Sequence, residues 1–405
     1  MLVRSIISLI WLIWLTRFFL RSAHKPTVLN ETRHLVLLLK VLREEATIES
    51  TLKYIHEQIF DIGNIICIVV GTAHERNDVG VNGTLLVAKQ FVERFKGRLK
   101  VIEAPATGGT QAAQKNYGLL HLDTSAEKTW ILTLDIDSRI SRSAIFEVIE
   151  NINRDVPVMQ MGCLFLSNWA RLSIFQRGHA IHQSRWTLAH ELRRLFVHNK
   201  ISSSIAHVVG HGFCIRRDIL AKYGDFPKSL PIEDVHLGFY LVAHRQIIKV
   251  LSSLEVGDSP DNLLAGLRQE YVWSHGAADS IRYVLETRKR FPSIWKADRF
   301  RIAMLGIHGT IAYFFWLTKS WIIIAIIVLG LCGLSSAWLT LGCYAMEYWV
   351  CAYLYMQRSF ISLADFAVSP LYGLIGASRN SLPADIAFVR QMLRIPITKF
   401  KTPHS

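Results

Sequence analysis

The stretch TWILTLDID at residues 129–137 decides the fold, because an almost wholly apolar run stops abruptly on two acids. Two earlier runs have the same character, HLVLLLKVL at 34–42 and NIICIVVGT at 64–72. Continuous apolar runs that end in polar residues are typical of strands buried on both faces of a parallel sheet. The three runs therefore predict parallel strands at the centre of an α/β domain.

Segments with helical spacing alternate with these runs. TIESTLKYIHEQI (47–59), GTLLVAKQFVERF (83–95) and AAQKNYGLLHL (112–122) have the spacing of helices, whereas RLKVIEA (98–104) is typical of a short strand. The resulting βαβαβ pattern predicts a doubly wound, mostly parallel sheet. Ligands of such sheets bind outside the carboxyl ends of the strands, so polar residues at those ends are the first candidates for a site.

The composition distinguishes an ordinary α/β domain in the middle from apolar ends. The 405 residues are 51% hydrophobic and carry a net charge of +14. Such a charge suits nucleic acid, an anionic membrane surface or a phosphorylated substrate. Many basic residues lie beside the apolar segments, which favours the membrane over nucleic acid. They include Arg17, Arg21, Lys25, Arg379, Arg390, Arg394, Lys399 and Lys401. The six cysteines form no CxxC pattern, which favours free thiols over disulfides or a zinc site.

The apolar ends predict membrane anchoring. No small-residue cleavage site follows the apolar residues 5–20, which favours a retained anchor over a signal peptide. The block from Ile311 to Met356 is long enough for two spans joined by a tight turn, with a buried bundle of a soluble domain as the alternative. Lysines and arginines after the first and last helices favour the cytoplasm for the central domain and the tail. Residues 366–375 suit the membrane interface.

Four segments are therefore expected. Residues 1–24 form an N-terminal transmembrane anchor, and residues 25–300 form a cytoplasmic domain that includes interfacial helices. Residues 301–360 form C-terminal transmembrane helices, and residues 361–405 form an interfacial segment and a basic cytoplasmic tail. The expected location is a plasma membrane, specifically a bacterial inner membrane, with the central domain in the cytoplasm.

Two acidic pairs are the strongest candidates for chemistry. Asp135 and Asp137 follow a predicted strand, and their carboxylates can reach the same region once the strand becomes a loop. Oxygen ligands of this kind bind Mg²⁺ or Mn²⁺, although an acidic surface turn is the alternative. Glu233 and Asp234 open an amphipathic helix, where acids also serve as ordinary caps. In the functional alternative, Asp234 is a general base that takes a proton from a hydroxyl.

Other stretches carry weaker signals. In RQEYVWSHG, Gln269 can bind hydroxyls and Trp273 can cover a sugar, with an interfacial helix as the alternative. Residues 43–45, REE, can hold a base or ribose. The turn GGTQ at 108–111 precedes a helix and can receive phosphate oxygens. Lone histidines such as His211 are more typical of a structural role than of metal ligation.

Taken together, these motifs resemble the family-2 inverting glycosyltransferases. The resemblance is to the membrane-bound branch that includes cellulose, hyaluronan and chitin synthases and ceramide glucosyltransferases. It covers about residues 33–300 and the layout of helices at both ends. The motifs that carry it, in order, are REE (43–45), DID (135–137), VGHGFCIRRDIL (209–220), IED (232–234) and QEYVW (269–273).

The resemblance implies a GT-A fold with a Rossmann-like, mostly parallel sheet, and sugar transfer with inversion from a nucleotide-sugar donor. A UDP-hexose is expected from family frequency. It implies Mn²⁺ or Mg²⁺ held by Asp137 and Asp135, and catalysis by Asp234 with Glu233. The implied nucleotide-sugar contacts are Arg43, Glu44, Glu75, Gln111, Lys115 and Asp135. The implied acceptor or diphosphate contacts are His211, Gly212, Gln269 and Trp273. The expected partners are membrane lipids and a lipid-linked or glycan acceptor.

Several positions depart from the pattern of the synthases. Val272 replaces the arginine of QxxRW, and Lys40 stands where a proline is usual. Glu75 or Asp78 must serve for the aspartate that usually follows the second strand. The usual Gly–Lys of the glycine-rich motif is Gly–Thr, with Lys115 one turn further on.

These departures leave alternatives open. Together with only two C-terminal spans, they favour transfer of one or a few sugars over a processive synthase that extrudes its polymer. An inactive transferase-like membrane subunit is a further alternative. A transporter would need more spans and more acids within them, and Glu347 is the single acid of the C-terminal apolar block.

Overall fold

The chain, described here by a computed structural model, is defined at residues 2–20, 24–76, 80–106, 110–202, 208–393 and 395. These residues form two compact units. The sheet unit comprises the described residues of 24–163 and 208–257. The helical unit comprises those of 2–20, 164–202 and 258–395.

The strands and helices have the following bounds. The strands are β1 (His34–Lys40), β2 (Ile65–Thr72), β3 (Leu99–Ala104), β4 (Thr129–Leu134), β5 (Val158–Leu164), β6 (Phe213–Arg216) and β7 (Lys249–Val256). The helices are α1 (Leu2–Leu20), α2 (Glu45–Ile59), α3 (Gly83–Lys89), α4 (Gln111–Leu119), α5 (Arg142–Asn153), α6 (Ile174–Trp186), α7 (Leu192–Ile201), α8 (Arg217–Lys222), α9 (Glu233–Ala243), α10 (Leu263–Ala278), α11 (Ser280–Arg290), α12 (Pro292–Leu331), α13 (Ser335–Gln357), α14 (Leu363–Arg379) and α15 (Ser381–Met392).

The sheet unit is built on one seven-stranded sheet in the order β3-β2-β1-β4-β6-β5-β7. The strands β1, β2, β3 and β4 pair in parallel, and β6 runs antiparallel to both β4 and β5. The predicted α/β class with a mostly parallel sheet is confirmed. The antiparallel insertion of β6 between β4 and β5 was not predicted.

The apolar runs form the core of the sheet unit, as their pattern predicts. Leu35, Leu37 and Leu39 of β1 are buried in one apolar cluster with Ile48 and Leu52 of α2. Each fully buried leucine contributes about 1.5–3 kcal/mol relative to an exposed one. The helix predicted over 83–95 is shorter than expected, since α3 ends at Lys89 and irregular turns follow it.

In the helical unit, α12 is the helix that is long and apolar enough to cross a bilayer, judged by length and composition over the described residues. Two helices joined by a tight turn are observed, because α12 ends at Leu331 and α13 begins at Ser335, whereas the two membrane spans remain a prediction. Gly333 lies in this turn with a φ of +95°, a conformation that glycine adopts without strain. Residues 5–20 lie within α1, as predicted.

The helical unit contains a buried ion pair between Arg185 of α6 and Glu347 of α13. Ser8 of α1 donates a hydrogen bond of 3.2 Å to Glu347 Oε2. A buried charge is tolerated when it is paired and hydrogen-bonded, so the single acid of the apolar block has a structural partner. The helices α6 and α14 also approach closely, since a Cβ on Gly376 would lie 2.1 Å from the Gly178 carbonyl oxygen.

Candidate functional site

Lys40 and Asp135 lie side by side at the carboxyl edge of the parallel strands. Leu39 of β1 is in register with Leu134 of β4, so Lys40, the last residue of β1, and Asp135, the first residue after β4, lie at the same point along the sheet. The Lys40 ammonium forms an ion pair with Asp135 Oδ1. Polar groups at this edge are placed where ligands of doubly wound sheets bind.

A second ion pair lies next to the other acidic motif. Lys115 Nζ of α4 donates a hydrogen bond of 3.0 Å to Glu233 Oε1 at the start of α9, and both side chains are buried. Asp234 follows, and a Cβ on Gly210 would lie 2.8 Å from its Oδ2. Burial would lower the pKa of Lys40, but the carboxylates of both acidic motifs raise it above its usual range. The structure thus brings the two motifs together around two lysines.

The two aspartates of this edge have opposite pKa shifts. Burial would raise the pKa of Asp135, but the charges of Lys40 and His211 hold it well below its usual range. Burial, and then the charge of Glu233, raises the pKa of Asp234. Asp135 is therefore suited to remain ionised, whereas Asp234 is suited to accept a proton, as in sites where environment separates an acid from a base.

Asp137 fits the role of a cation ligand. Asp137 is 9% exposed, and a Cβ built on Gly257 would lie 3.2 Å from its Oδ2. Gly257 therefore lets its backbone approach this carboxylate closely, and oxygen is the donor that Mg²⁺ and Mn²⁺ prefer. Asp135 is a weaker candidate, because a cation there competes with the Lys40 ammonium.

The nucleotide-binding residues predicted near the first two strands also lie together. The Arg43 backbone N–H donates to the Glu75 carboxylate. The Glu44 backbone N–H donates to the Thr84 hydroxyl at 2.9 Å, and this hydroxyl donates to Glu75 Oε2 at 3.2 Å. Because Glu75 fixes the loop after β1, it is a positioning residue in this arrangement.

The glycine-rich turn is described only in part. Gln111 is exposed at the start of α4, and the Thr110 hydroxyl caps this helix by accepting a hydrogen bond of 3.1 Å from the Ala113 N–H. The predicted positions Gly108, Gly109 and Asp78 lie outside the described residues.

His211 and Gly212 lie on the other side of β4, just before β6. His211 Nδ1 is 3.1 Å from Glu255 Oε2 of β7. Burial would lower the pKa of His211, but Glu255 and Cys163 raise it well above its usual range. Gly212 has a φ of +59°, and a Cβ on it would lie 2.5 Å from Glu255 Oε2, so the position requires glycine.

Gln269 and Trp273 lie on α10 of the helical unit. The Gln269 side-chain oxygen accepts a hydrogen bond of 2.9 Å from the Gln183 amide of α6. The Trp273 ring centroid is 5.9 Å from that of Phe165. Their predicted contact with an acceptor or a diphosphate remains a prediction.

Three residues near the acidic motifs escaped the sequence analysis as site members. Lys40 was noted only as a departure from a family pattern, although its position at a strand end next to another strand-end acid was a usable signal. Cys163 and Glu255 carry no local signal, because each is a single polar or thiol residue at the end of a strand whose neighbours in the sheet are distant in sequence.

The chain is similar to several solved structures at low sequence identity. The chain is similar in structure to the mannosyltransferase PcManGT from Pyrobaculum calidifontis in complex with GDP-Man and Mn²⁺, with 14% identity, a TM-score of 0.48, and coverage of 93% of this chain and 95% of that one. It is also similar to S. aureus TarS 1–349, with 13% identity, a TM-score of 0.42, and coverage of 87% of this chain and 91% of that one. For the complex of TarS 1–349 with UDP-GlcNAc, the identity is 14%, the TM-score is 0.44, and the coverage is 87% of this chain and 92% of that one. A search of curated proteins returns no significant match.

The sequence profile described as Glycosyl transferase family group 2 matches residues 130–356, which is more than half of the chain. This region contains both acidic motifs and QEYVW. The seven-stranded, mostly parallel sheet is accordingly the GT-A sheet that the resemblance implied. The protein belongs to glycosyltransferase family 2, whose members transfer a sugar from a nucleotide-sugar donor.

Proposed function

We propose that the protein is a metal-dependent, inverting hexosyltransferase that acts on a nucleoside-diphosphate hexose at the cytoplasmic side of a membrane. The acceptor is lipid-linked or a glycan, and the product belongs to a cell-surface polysaccharide or glycolipid. The observation that carries this proposal is the meeting of two lysine–carboxylate pairs, Lys40–Asp135 and Lys115–Glu233, beside Asp234 at the carboxyl edge of the sheet.

Each residue has a defined task in this proposal. Asp137, with Asp135 as the second candidate, would hold Mn²⁺ or Mg²⁺, which would supply positive charge for the leaving diphosphate. Lys40 and Lys115 add positive charge at the same edge. Asp234 takes the proton of the acceptor hydroxyl as its oxygen attacks the anomeric carbon. Attack on the face opposite the leaving group inverts that carbon.

The remaining predicted residues bind the donor or the acceptor, and the candidates for the acceptor or the diphosphate stay His211, Gly212, Gln269 and Trp273. Arg43, Glu44 and Gln111 contact the nucleotide-sugar, with Glu75 holding their loop. For the acceptor, support comes from buried polar atoms of the helical unit that have no hydrogen-bond partner within the described part of the chain. They are Gln183 Oε1, Glu270 Oε2, and Nε and Nη1 of Arg379. Such atoms favour bound water or a hydroxyl-rich ligand, since leaving one unpaired costs about 1–3 kcal/mol.

For the membrane arrangement, we retain the spans predicted at residues 1–24 and 301–360. With the sheet unit in the cytoplasm, the turn between α12 and α13 then lies on the opposite side. Cys332 is an exposed free thiol in this turn. A membrane-impermeant maleimide is expected to label Cys332 in intact cells and to leave a Cys332→Ser variant unlabelled. Labelling that requires cell lysis would contradict this topology.

Donor turnover tests the enzymatic proposal. Full-length protein in detergent is given Mn²⁺ or Mg²⁺, a panel of nucleotide sugars and a membrane lipid extract, and release of nucleoside diphosphate is measured. Wild type is compared with Asp137→Ala, Asp234→Asn and the control Asp123→Asn, whose side chain is 85% exposed. We expect metal-dependent turnover of one donor that is retained in the control and falls in both site variants, by about 10²–10⁴-fold for Asp234→Asn.

Two results would count against the proposal. Transfer to acceptor that is unchanged in Asp234→Asn would remove this residue as the base. An absence of turnover with every donor would favour the inactive subunit instead. The anomeric configuration of the product, read by NMR, tests inversion separately.

A further inference from the structure

A thiol, an imidazole and a carboxylate lie close together in the sheet unit, near the ends of three strands. Cys163 lies near the end of β5, His211 just before β6, and Glu255 near the end of β7. Their potential ligand atoms all lie within 4.8 Å of one another. We call these three residues the Cys–His–Glu cluster. Cys163 and Glu255 are buried, and the His211 side chain is 14% exposed, so the cluster is reached from the His211 side.

Asp137 faces the same space as this cluster. A Cβ built on Gly257 would lie 3.2 Å from Asp137 Oδ2 and 3.5 Å from Cys163 Sγ. The carboxylate and the sulfur therefore both lie next to Gly257, which has no side chain to separate them. Cys163, His211 and Glu255 supply three donors and a tetrahedral cation site needs four, so a displacement of the Asp137 carboxylate toward the cluster would complete the set.

We propose that the Cys–His–Glu cluster, together with Asp137, forms one mixed-ligand site for a divalent cation that prefers Zn²⁺, Co²⁺ or Mn²⁺ to Mg²⁺. Thiolate and imidazole donors suit borderline metals, whereas Mg²⁺ demands oxygen ligands. On binding, the cation replaces the thiol proton and the proton that His211 Nδ1 shares with Glu255, and both protons leave to solvent. The inference deepens the proposed function through Asp137, but metal binding can be measured without turnover.

The spacing within the cluster is already close to that of a coordination shell. His211 Nδ1 and Glu255 Oε2 are 3.1 Å apart. Two such ligands of one tetrahedral zinc ion, each at about 2.0–2.1 Å, are separated by about 3.3 Å. A modest displacement of the two side chains therefore admits the cation between them. Gly212 permits their approach, because a Cβ there would lie 2.5 Å from the same Glu255 oxygen.

A second layer of hydrogen bonds connects the cluster to the first acidic motif. Ser138 donates its hydroxyl proton to Glu255 Oε1. The same Ser138 oxygen accepts a hydrogen bond of 2.9 Å from the Asp135 backbone N–H. Hydrogen bonds of this kind orient metal ligands, and their loss typically weakens metal binding by about 10–100-fold. Ser138 is therefore a positioning residue for the proposed site.

Cobalt spectroscopy tests the proposal directly. Full-length protein in detergent is stripped with a chelator and titrated with Co²⁺, and the thiolate-to-cobalt charge-transfer band is recorded in the near ultraviolet. We expect one equivalent to produce the band, Zn²⁺ to abolish it, and a large excess of Mg²⁺ to leave it. Cys163→Ser should lose the band, whereas the control Cys214→Ser, a buried thiol of β6, should keep it. Ser138→Ala should keep the band with a Kd raised about 10–100-fold.

X-ray absorption at the zinc edge of the unmodified protein gives a second readout that needs no variant. One sulfur at about 2.3 Å is expected among nitrogen and oxygen neighbours. A shell of nitrogen and oxygen alone, or a cobalt band that persists in Cys163→Ser, would overturn the inference. Turnover with a sulfur-free metal shell would refute the mixed site and leave the proposed function standing. A sulfur-containing shell without turnover would do the reverse.

Discussion

Removal of the Lys115 ammonium should expose how strongly the sheet unit depends on its buried ion pair. In Lys115→Met the apolar stem is kept and the charge is lost, so the buried Glu233 carboxylate loses its 3.0 Å partner. Breaking a buried pair by removing one member costs about 3–5 kcal/mol. With about 2–4 °C per kcal/mol for a domain of 150–250 residues, the unfolding midpoint should fall by about 6–20 °C.

The pH dependence of this loss has a definite sign. In the wild type, burial would raise the pKa of Glu233, but Lys115 and Lys40 lower it. The ionised carboxylate therefore adds stability above the usual glutamate pKa, and this stability is lost as pH falls through the depressed pKa. Without Lys115, the effect of burial is no longer offset by a neighbouring positive charge to the same extent, so the pKa of Glu233 rises. The variant should then be destabilised most near pH 8 and should recover part of the difference toward pH 5.

Thermal unfolding of the detergent-solubilised protein, at one scan rate and at pH 5 to 8, measures both effects. Lys115→Met/Glu233→Gln should recover much of the midpoint, since it removes the unpaired charge. The matched control is Lys100→Met, because Lys100 pairs with an exposed aspartate and should change stability by at most about 1 kcal/mol. The reasoning is refuted if the two lysine variants behave alike, or if the loss at Lys115 is the same at pH 5 and pH 8.

Two further predictions concern catalysis. Because the pKa of Asp234 is raised, the acid limb of the pH profile of wild-type kcat/KM should lie above the usual aspartate range. Asp234→Asn should abolish this limb in the residual activity. A limb at the ordinary aspartate pKa would contradict the assignment of Asp234 as the base. Lys40→Met should raise the KM for the nucleotide sugar by about 10–100-fold, because this is the loss expected for a charged hydrogen bond. The unfolding midpoint should change little compared with the change in Lys115→Met. An unchanged KM would place Lys40 outside the donor site.

The sequence was most informative where a local pattern is enough. The run at 129–137 and its two counterparts became β4, β1 and β2, because strands buried on both faces need continuous apolar sequence. The order of β6 and β5 could not be predicted in the same way. The pairing of Trp130 with Arg216 joins segments that are distant in sequence, and the short β6 has no periodicity that indicates its direction.

The candidate site shows the same division. The acidic motifs that contain Asp135 and Asp234 were found by their residue types and their order. The partner of Lys115 was not found, because Glu233 lies 118 residues further along the chain and no local feature of α4 reveals it. The Cys–His–Glu cluster was missed for the same reason, and the absence of a CxxC pattern even argued against metal binding by a thiol. Spacing rules detect ligands that share one loop, not ligands delivered by three strand ends.

The strand register alone would have been enough to predict Lys40 as a residue of the site. This lysine was set aside because a proline is usual at its position in related synthases. Yet Leu39 and Leu134 are in register on two parallel neighbouring strands, so the residues that follow them, Lys40 and Asp135, must reach the same place. Two opposite charges that lie side by side at a partly buried edge of a sheet form an ion pair, whichever residue is usual at that position in the family. A residue that departs from a motif at a strand end should therefore be judged by its sheet neighbour, and in this chain that neighbour is the first acid of the DID motif.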